Sequence, residues 1–303
     1  MGTQGFSPRT RAEGQLVRFG EPAASIGLTV ERSGVPHRVR LKLSPSAAKV
    51  AELDGSRLPS AEALRREFPT LVFTPDRLAV VKGGPAARRA YVDRVAARLY
   101  PARLGVPQDY AAALAQRNAA IRRIQLGLSG PDALEPWTGR LAELAARLVE
   151  LRRDTVTALS PGFAERAGEL GLPGARLAYD AEAPSAAALE ARIGQDLARG
   201  STGAGPHLDD VLIAAGDREL RSFGSQGEQR LSVLSLVLAE AELLRSEPLL
   251  LLDDVLSELD PGRRRVLAER VAAMGQVVIT ATQRSALPLE PAQVVEVSPG
   301  QAR

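Results

Sequence analysis

The sequence predicts an α/β fold carrying an inserted helical arm, and three patterns predict it. From Val211 to Val297, apolar strands alternate with helices, the order that builds a parallel sheet. From Tyr110 to Leu151, two stretches repeat apolar residues at helical spacing on either side of a turn rich in Gly and Pro. Ahead of both, residues 1–84 read as short strands separated by turn formers. The 303 residues thus divide into an N-terminal sheet part (1–84), a helical part (85–200) and a C-terminal strand-and-helix part (201–303).

In chain order, Ala24 to Val30 and Val35 to Leu43 flank Arg32-Ser33-Gly34 and predict a hairpin, with Leu71-Val72-Phe73 as a third strand. Pro85 suits the first turn of a helix that runs to Tyr100, with apolar positions at Tyr91, Val92, Val95 and Leu99. Tyr110, Leu114, Ile121, Ile124 and Leu128 share one register, and Trp137, Leu141, Leu144, Leu148 and Leu151 share another. The turn from Leu126 to Pro131 would fold the two into an antiparallel pair. Spacing leaves open whether this is a projecting coiled arm or a plain amphipathic bundle. Leu159 to Gly203, rich in Pro, Gly and Ala, is the expected return, with a helix from Ser185 to Arg199. Five elements follow Val211-Leu-Ile: a helix over Gly227 to Arg245, a strand over Leu249 to Leu252, a helix over Pro261 to Met274, and strands over Gln276 to Thr280 and Val294 to Val297.

Composition narrows the function classes. With 45% apolar and 25% charged residues the chain is suited to a packed core rather than to disorder. Cysteine is absent, which excludes disulfide scaffolds, thiol catalysis and cysteine-bound metals, and His37 and His207 alone cannot build a zinc site. The longest uncharged stretch, Val271 to Gln283, is too short and polar to span a bilayer, so no membrane partner is expected and the expected location is cytoplasmic. Net charge is +3, and the 39 basic residues include only three lysines, Lys42, Lys49 and Lys82. The arginines are spread among acids, a pattern that a GC-rich genome also produces.

The chemistry-bearing pattern lies near the C-terminus. Leu249-Leu-Leu-Leu252 runs into Asp253 and Asp254, and two carboxylates at the carboxyl end of a buried strand suit a hard cation and the water that attacks a phosphate, as in a Walker B site. Upstream, Ser225-Gln-Gly-Glu-Gln-Arg230 opens the long helix, where a hydroxyl, backbone amides and the helix N-terminus can hold phosphate. Downstream, Ser257-Glu-Leu-Asp260 precedes Pro261. Taken singly, Ser225 and Asp260 also read as ordinary helix caps.

Together these segments resemble the C-terminal half of the ABC-type ATPase head of the SMC-like proteins, and most closely the RecF family of bacterial recombination and repair proteins. Gly205-Pro-His-Leu-Asp-Asp210, Phe73-Thr-Pro-Asp76, Lys82-Gly-Gly-Pro-Ala-Ala-Arg-Arg89 with Asp93, Ser7-Pro-Arg-Thr10 and Leu16-Val-Arg-Phe-Gly20 are similar to further blocks of that family. The resemblance implies an ABC/SMC-like head of mixed sheet and helices that binds ATP and Mg²⁺ and pairs into an ATP-dependent homodimer. It implies Asp253 at the metal, Asp254 as the catalytic carboxylate, Ser225, Gln226 and Gly227 on the ATP phosphate across the dimer, and Asp260 in the loop coupling the two sites. It also implies DNA, single- and double-stranded at gaps, and recombination mediator proteins as partners, with recombinase loading and the SOS response as the outcome. Arg88, Arg89, Arg94, Arg122 and Arg123 are candidates for backbone phosphate contacts.

One part of the family pattern is not found: G-x-x-x-x-G-K-[ST], the Walker A loop, since no Gly-Lys dipeptide occurs. The expectation is a chain that starts after the P-loop helix and binds ATP weakly or not at all, leaving ATPase activity open and making an ATP-free, non-enzymatic DNA- or partner-binding module of the same family the alternative. A transporter ATPase is disfavoured, because Thr280-Ala-Thr282 stands where those enzymes carry a switch histidine.

Overall fold

Ala24–Arg32 (β1) and Val35–Leu43 (β2) pair antiparallel from Ala24 opposite Leu43 to Arg32 opposite Val35 in the computed structural model, which describes residues 1–3, 7, 12–32, 34–244, 247–257, 259–298, 301 and 302. Four parts of the sequence reading touch residues outside this set: Ser33 of the first turn, residues 8–10 of the Ser7–Thr10 block, Arg245 at the expected helix end, and Glu258 in the loop before Asp260. The side chains of Pro75 and Asp76 are likewise outside it.

The chain forms two units. The first comprises residues 1–72, 245–253 and 270–280. Strand periodicity sorts β2 into two faces, with Val39, Leu41 and Leu43 buried while Arg40 and Lys42 are exposed. Val50–Leu53 (β3) and Ser56–Arg57 (β4) extend the sheet to four strands through Asp54-Gly55, a two-residue turn with positive φ at both positions. The Asp54 carboxylate accepts from the Arg38 N–H at 2.7 Å and lies 2.8 Å from His37 Nδ1, so this turn is tied to β2. A short helix, Leu64–Glu67 (α1), adds Leu64 to the core under β2. The second sheet of this unit is built on Thr70–Phe73 (β5), Leu249–Leu252 (β9) and Val277–Ile279 (β10), in the order β10-β9-β5, with β9 and β10 parallel.

The second unit comprises residues 73–244, 254–269 and 281–303. Ala79–Lys82 (α2) leads into Pro85–Leu99 (α3), which opens on its proline as expected. Val106–Gln125 (α4) and Glu135–Glu169 (α5) pack together over Ala113, Leu141, Leu144, Leu148 and Leu151. Two details of the heptad reading change. Leu128 lies past the end of α4 and is exposed, and the central position of the α4 face is Arg117, wholly buried. Helix α5 also runs on through Pro161, into the Pro-, Gly- and Ala-rich region read as the return from the arm. Packing against Gln226–Leu243 (α9) accounts for this: a Cβ at Gly162 would come within 3.3 Å of the Ala239 Cβ, so the glycine lets the two helices approach.

After α5 come Ala175–Ala178 (β6), Ala186–Ala191 (α6), Ile193–Arg199 (α7), Leu212–Ala215 (β7), Arg218–Glu219 (β8) and Leu220–Phe223 (α8). Strand β7 corrects the topology predicted for it. Instead of joining a parallel sheet with β9, it pairs antiparallel with β6 and β8, because the Gly216-Asp217 turn brings β8 straight back onto it. Pro261–Ala272 (α10) follows β9. The expected last strand over Val294–Val297 reduces to Val297–Ser298 (β11), paired with Gln301–Ala302 (β12). No helix among the described residues is long and apolar enough to cross a membrane.

Arg117 is held by Asp196 Oδ2 at 2.7 Å and Thr202 Oγ1 at 2.8 Å, and both ionic side chains are at most 1% exposed. Removing one partner of such a pair strands the other charge in a low dielectric. Arg117→Ala is therefore expected to cost about 3–5 kcal/mol of unfolding free energy in a urea titration. A loss below about 1 kcal/mol would mean that water reaches Asp196.

Candidate functional site

Strand β9 ends where its burial ends. Leu250 and Leu252 are buried, and the next two residues, Asp253 and Asp254, are exposed at its carboxyl end. Strand β10 ends beside it, where the Thr280 N–H donates to the Leu252 carbonyl at 3.0 Å and the Thr280 hydroxyl donates to Asp253 Oδ1 at 2.7 Å. Asp253 is thereby oriented by Thr280. Asp254 has φ of +49°, an uncommon conformation for a side-chain-bearing residue and one that turns the chain sharply after the strand.

Helix α9 opens on a complete capping box. Ser225 Oγ accepts from the Glu228 N–H at 3.2 Å, and the Ser225 N–H donates to Glu228 Oε2 at 2.7 Å, which holds the Glu228 carboxyl below its usual pKa. Ser225, Gln226 and Gly227 are all exposed. Gly227 needs no internal explanation of the kind Gly162 has: a Cβ there would meet only Ser225 Oγ, at 4.0 Å. Asp260 caps α10 through the Arg263 N–H at 3.0 Å, which lowers its pKa.

Three of these segments meet. Gly227, Arg230, Asp254, Ser257 and Arg263 border one cavity of about 60 Å³, space for a few water molecules, over an apolar floor that includes Phe73 and Leu231. The Ser257 hydroxyl donates to the Asp254 carbonyl at 3.0 Å, bracing the turn. Gly227 and Asp254, which lie far apart in sequence, are thus brought to one rim, and Asp260 connects to it through its 3.3 Å contact with Arg263.

A second constellation forms around Gly205–Asp210. Asp210 takes Arg88 in a bidentate pair, at 2.7 Å to Nε and 2.6 Å to Nη2. Burial pushes the Asp210 carboxyl up, but Arg88 and the Val211 N–H outweigh it, and the group titrates below its ordinary value. Arg89 donates to the Asp209 carbonyl, Tyr179 to the Asp209 carboxylate, and Arg152 bridges Asp93 and the Pro206 carbonyl. This corrects one DNA-contact candidate: Arg88 is 2% exposed, and its guanidinium is committed to Asp210 and the Gly83 carbonyl. Arg89 is half-buried, whereas Arg94, Arg122 and Arg123 are exposed, the last also bonded to Ser129 at 3.2 Å. The pairing partners were missed at the sequence level; the signal was two adjacent arginines followed by Asp93 in one block and two adjacent aspartates in the other.

The histidine of this block is fixed in one tautomer. A carbonyl can only accept, so His207 Nε2 carries the proton donated to the Thr202 carbonyl at 3.1 Å, and Nδ1 accepts from the Tyr110 hydroxyl at 2.7 Å. Burial favours the neutral ring and lowers its pKa, although the bond to Thr202 acts the other way.

Comparisons with known proteins agree with one another. The DNA replication and repair protein RecF of Anaeromyxobacter dehalogenans is 40% identical over 296 residues, covering 89% of this chain and 77% of its own. The structure of the recombination mediator protein RecF-ATP in the RecFOR pathway superposes with a TM-score of 0.83 at 25% identity, covering 100% of this chain and 85% of that one. The SMC head domain of Pyrococcus furiosus with its extended coiled coil superposes at 0.52 and 16% identity over 94% of this chain and 79% of that one, a likeness of fold. No protein-family model matches the chain.

The lowered pKa of His207 has a pH consequence. A group that binds its proton less readily when folded contributes full stability above its unfolded pKa of about 6.5 and loses it as pH falls through the folded value. The melting temperature is expected to drop on acidification from pH 7.5 to 5.5, and His207→Gln is expected to flatten that drop. An unchanged slope in the variant would assign the acid sensitivity to other groups.

Proposed function

The chain belongs to the RecF family of DNA replication and repair proteins, and from that premise we propose that it is an ATP-regulated, DNA-binding repair protein whose two copies close around nucleotide. Its substrate on this reading is DNA at gaps and junctions, and recombination mediators are its protein partners, leading to recombinase loading and the SOS response. Residues 1–84 and 201–303 act as the two parts of the ATPase head, and residues 85–200 as its helical arm.

The observation that carries the nucleotide part is the shared rim of Gly227 and Asp254. At the N-terminus of an 18-residue helix, an exposed glycine with open space before it lets an anion approach the backbone amides closely. Ser225, Gln226 and Gly227 would hold the terminal phosphate of ATP bound to the other copy, and Asp260 would couple the two sites. The donors also fit Mg²⁺. Asp253 and Asp254 offer hard carboxylate oxygens, and no group of three or more metal-binding side chains occurs among the described residues, in keeping with an ion completed by water and phosphates. When bound, Mg²⁺ supplies neutralisation of phosphate charge. Asp253 would hold the ion directly or through water, and Asp254 would orient and polarise the attacking water.

The lysines favour a second reading. Lys42 pairs with Glu52 and Lys49 with Glu13, and Lys82 closes the short helix α2, so these 303 residues offer no lysine set in a phosphate-binding loop. On that reading the chain is a non-enzymatic module of the same family that binds DNA or a repair partner without ATP.

Titration of labelled gapped DNA with and without ATP and Mg²⁺ separates the two. ATP-dependent tightening supports the regulated reading, binding indifferent to ATP supports the module, and no DNA binding at low salt overturns the regulated reading and the DNA-binding form of the module. Gly227→Asp is the accompanying variant. An acid in the first turn suits the helix, so the fold is retained, while its charge opposes phosphate. The ATP effect on DNA affinity is expected to shrink by about tenfold or more.

A further inference from the structure

Three arginines of the second unit gather around the turn that ends α7. Gly203, in that turn, has no positive φ, so no backbone strain calls for glycine there. What excludes a side chain is the crowding over its Cα. A Cβ at Gly203 would lie 3.0 Å from Arg192 Nη2, 3.2 Å from Asp196 Oδ1 and 3.7 Å from Arg199 Nη1. Two guanidiniums, one from the junction of α6 and α7 and one from the last turn of α7, thus converge on one glycine.

Helix α4 brings the third. Asn118, Arg122 and Gln125 recur at i, i+4 and i+7 and so share one face of that helix. Asn118 Oδ1 accepts from the Thr202 N–H at 2.8 Å, and Gln125 Nε2 donates to the Leu197 carbonyl at 2.6 Å. That face therefore lies against the end of α7, with Arg122 between the two contacts. Arg122 and Arg199 are exposed and Arg192 is half-buried, so the group opens to solvent.

The acid among these cations is already spent. Asp196 is 1% exposed, gives Oδ2 to Arg117 at 2.7 Å and accepts from the Gly203 N–H on Oδ1 at 2.9 Å. Among the described residues Arg122, Arg192 and Arg199 make no ion pair. Arg192 Nε is buried without a hydrogen-bond partner, and Nη2 reaches the Gly203 carbonyl only at 3.5 Å. Guanidinium does not deprotonate in proteins, so these charges call for an anion from outside. The fork of N–H donors on each arginine matches phosphate oxygens, and arginines from two elements bordering one turn suit the row of phosphates along a strand.

We infer that Arg122, Arg192 and Arg199 form a contact site for the backbone phosphates of DNA at the turn that follows α7. The inference rests on the DNA-binding reading above and extends it to Arg192 and Arg199, neither of which the sequence pattern singled out.

The test is the salt dependence of binding to a labelled gapped duplex for the whole chain and for Arg122→Gln, Arg199→Gln, Arg199→Lys and Arg140→Gln, the last an exposed arginine already paired with Glu143 at 2.8 Å. Arg192 is left intact because it also touches the Gly203 carbonyl. Arg122→Gln and Arg199→Gln are each expected to reduce the slope of log affinity against log salt by about 0.9, which is roughly eightfold in affinity at 0.1 M salt, and Arg199→Lys to keep the wild-type slope. Melting temperatures should stay within about 2 °C of wild type, the range of a surface substitution. Wild-type affinity and slope in both glutamine variants, an equal loss in Arg140→Gln, a lysine variant that behaves like the glutamine one, or a larger fall in melting temperature would each overturn the site while leaving DNA binding by the chain intact. Absence of wild-type DNA binding at low salt would instead overturn the DNA-binding reading and this site with it.

Discussion

The pair between Arg88 and Asp210 joins residues 122 positions apart and sets the geometry of the second unit. Asp210 lies two residues before the strand that turns into β8, α8 and then the start of α9, so the point where that path begins is tied to α3 by two short hydrogen bonds. The same loop is tied again by Arg152 at Pro206 and by Tyr110 and Thr202 at His207. Each bond satisfies a polar group that burial would otherwise leave costly, which is why the loop can be both polar and ordered. The exposed N-terminus of α9 lies at the end of that anchored path, so a ligand-binding role of the kind proposed for it would benefit from an entry segment held in place.

The capping box on α9 has a further consequence. The Ser225 hydroxyl is already engaged with the Glu228 N–H, a contact of about 1 kcal/mol in most helices. A phosphate arriving at this end competes with the cap for the same orphan amides. Because Ser225 can donate its own proton to phosphate while still accepting from Glu228, the two roles are compatible at one atom. Glu228 is the less compatible member, since its carboxylate sits in the first turn, and its contact with Arg218 at 3.1 Å offsets part of that charge.

Much of this arrangement was legible in the sequence, and the failures share one cause. The β1–β2 hairpin, α3, the α4–α5 pair, β9 and α10 follow from local periodicity, proline at a first turn and a run of leucines, all properties of neighbouring residues. Strand β7 was assigned to the wrong sheet because its partner, β6, hides in a stretch rich in Gly and Ala where alternation is weak. Helix α5 outran its reading because tertiary contact with α9 at Gly162 overrides the penalty of Pro161. Gly227 and Asp254 could be named as candidates from the family resemblance of their motifs, yet their meeting at one cavity is a fact of three dimensions. Arg117 lies within the apolar register of α4 and was not singled out in the sequence; its bonds to Asp196 and Thr202 explain it.

Arginine content is where composition says least. A net charge of +3 gave weak reason to expect a polyanion partner, because acids nearly balance bases in the count. The balance is not local. Arg88, Arg117 and Arg152 are buried against aspartates and hold the fold, so the acids they use are unavailable to others. Arg94, by contrast, is exposed and makes no ion pair among the described residues. Charge available for recognition is therefore set by which cations lack an internal partner, and that is a property of the folded pairing. The same sequence with Arg88 exposed and Arg94 paired would have identical composition and a different distribution of surface charge.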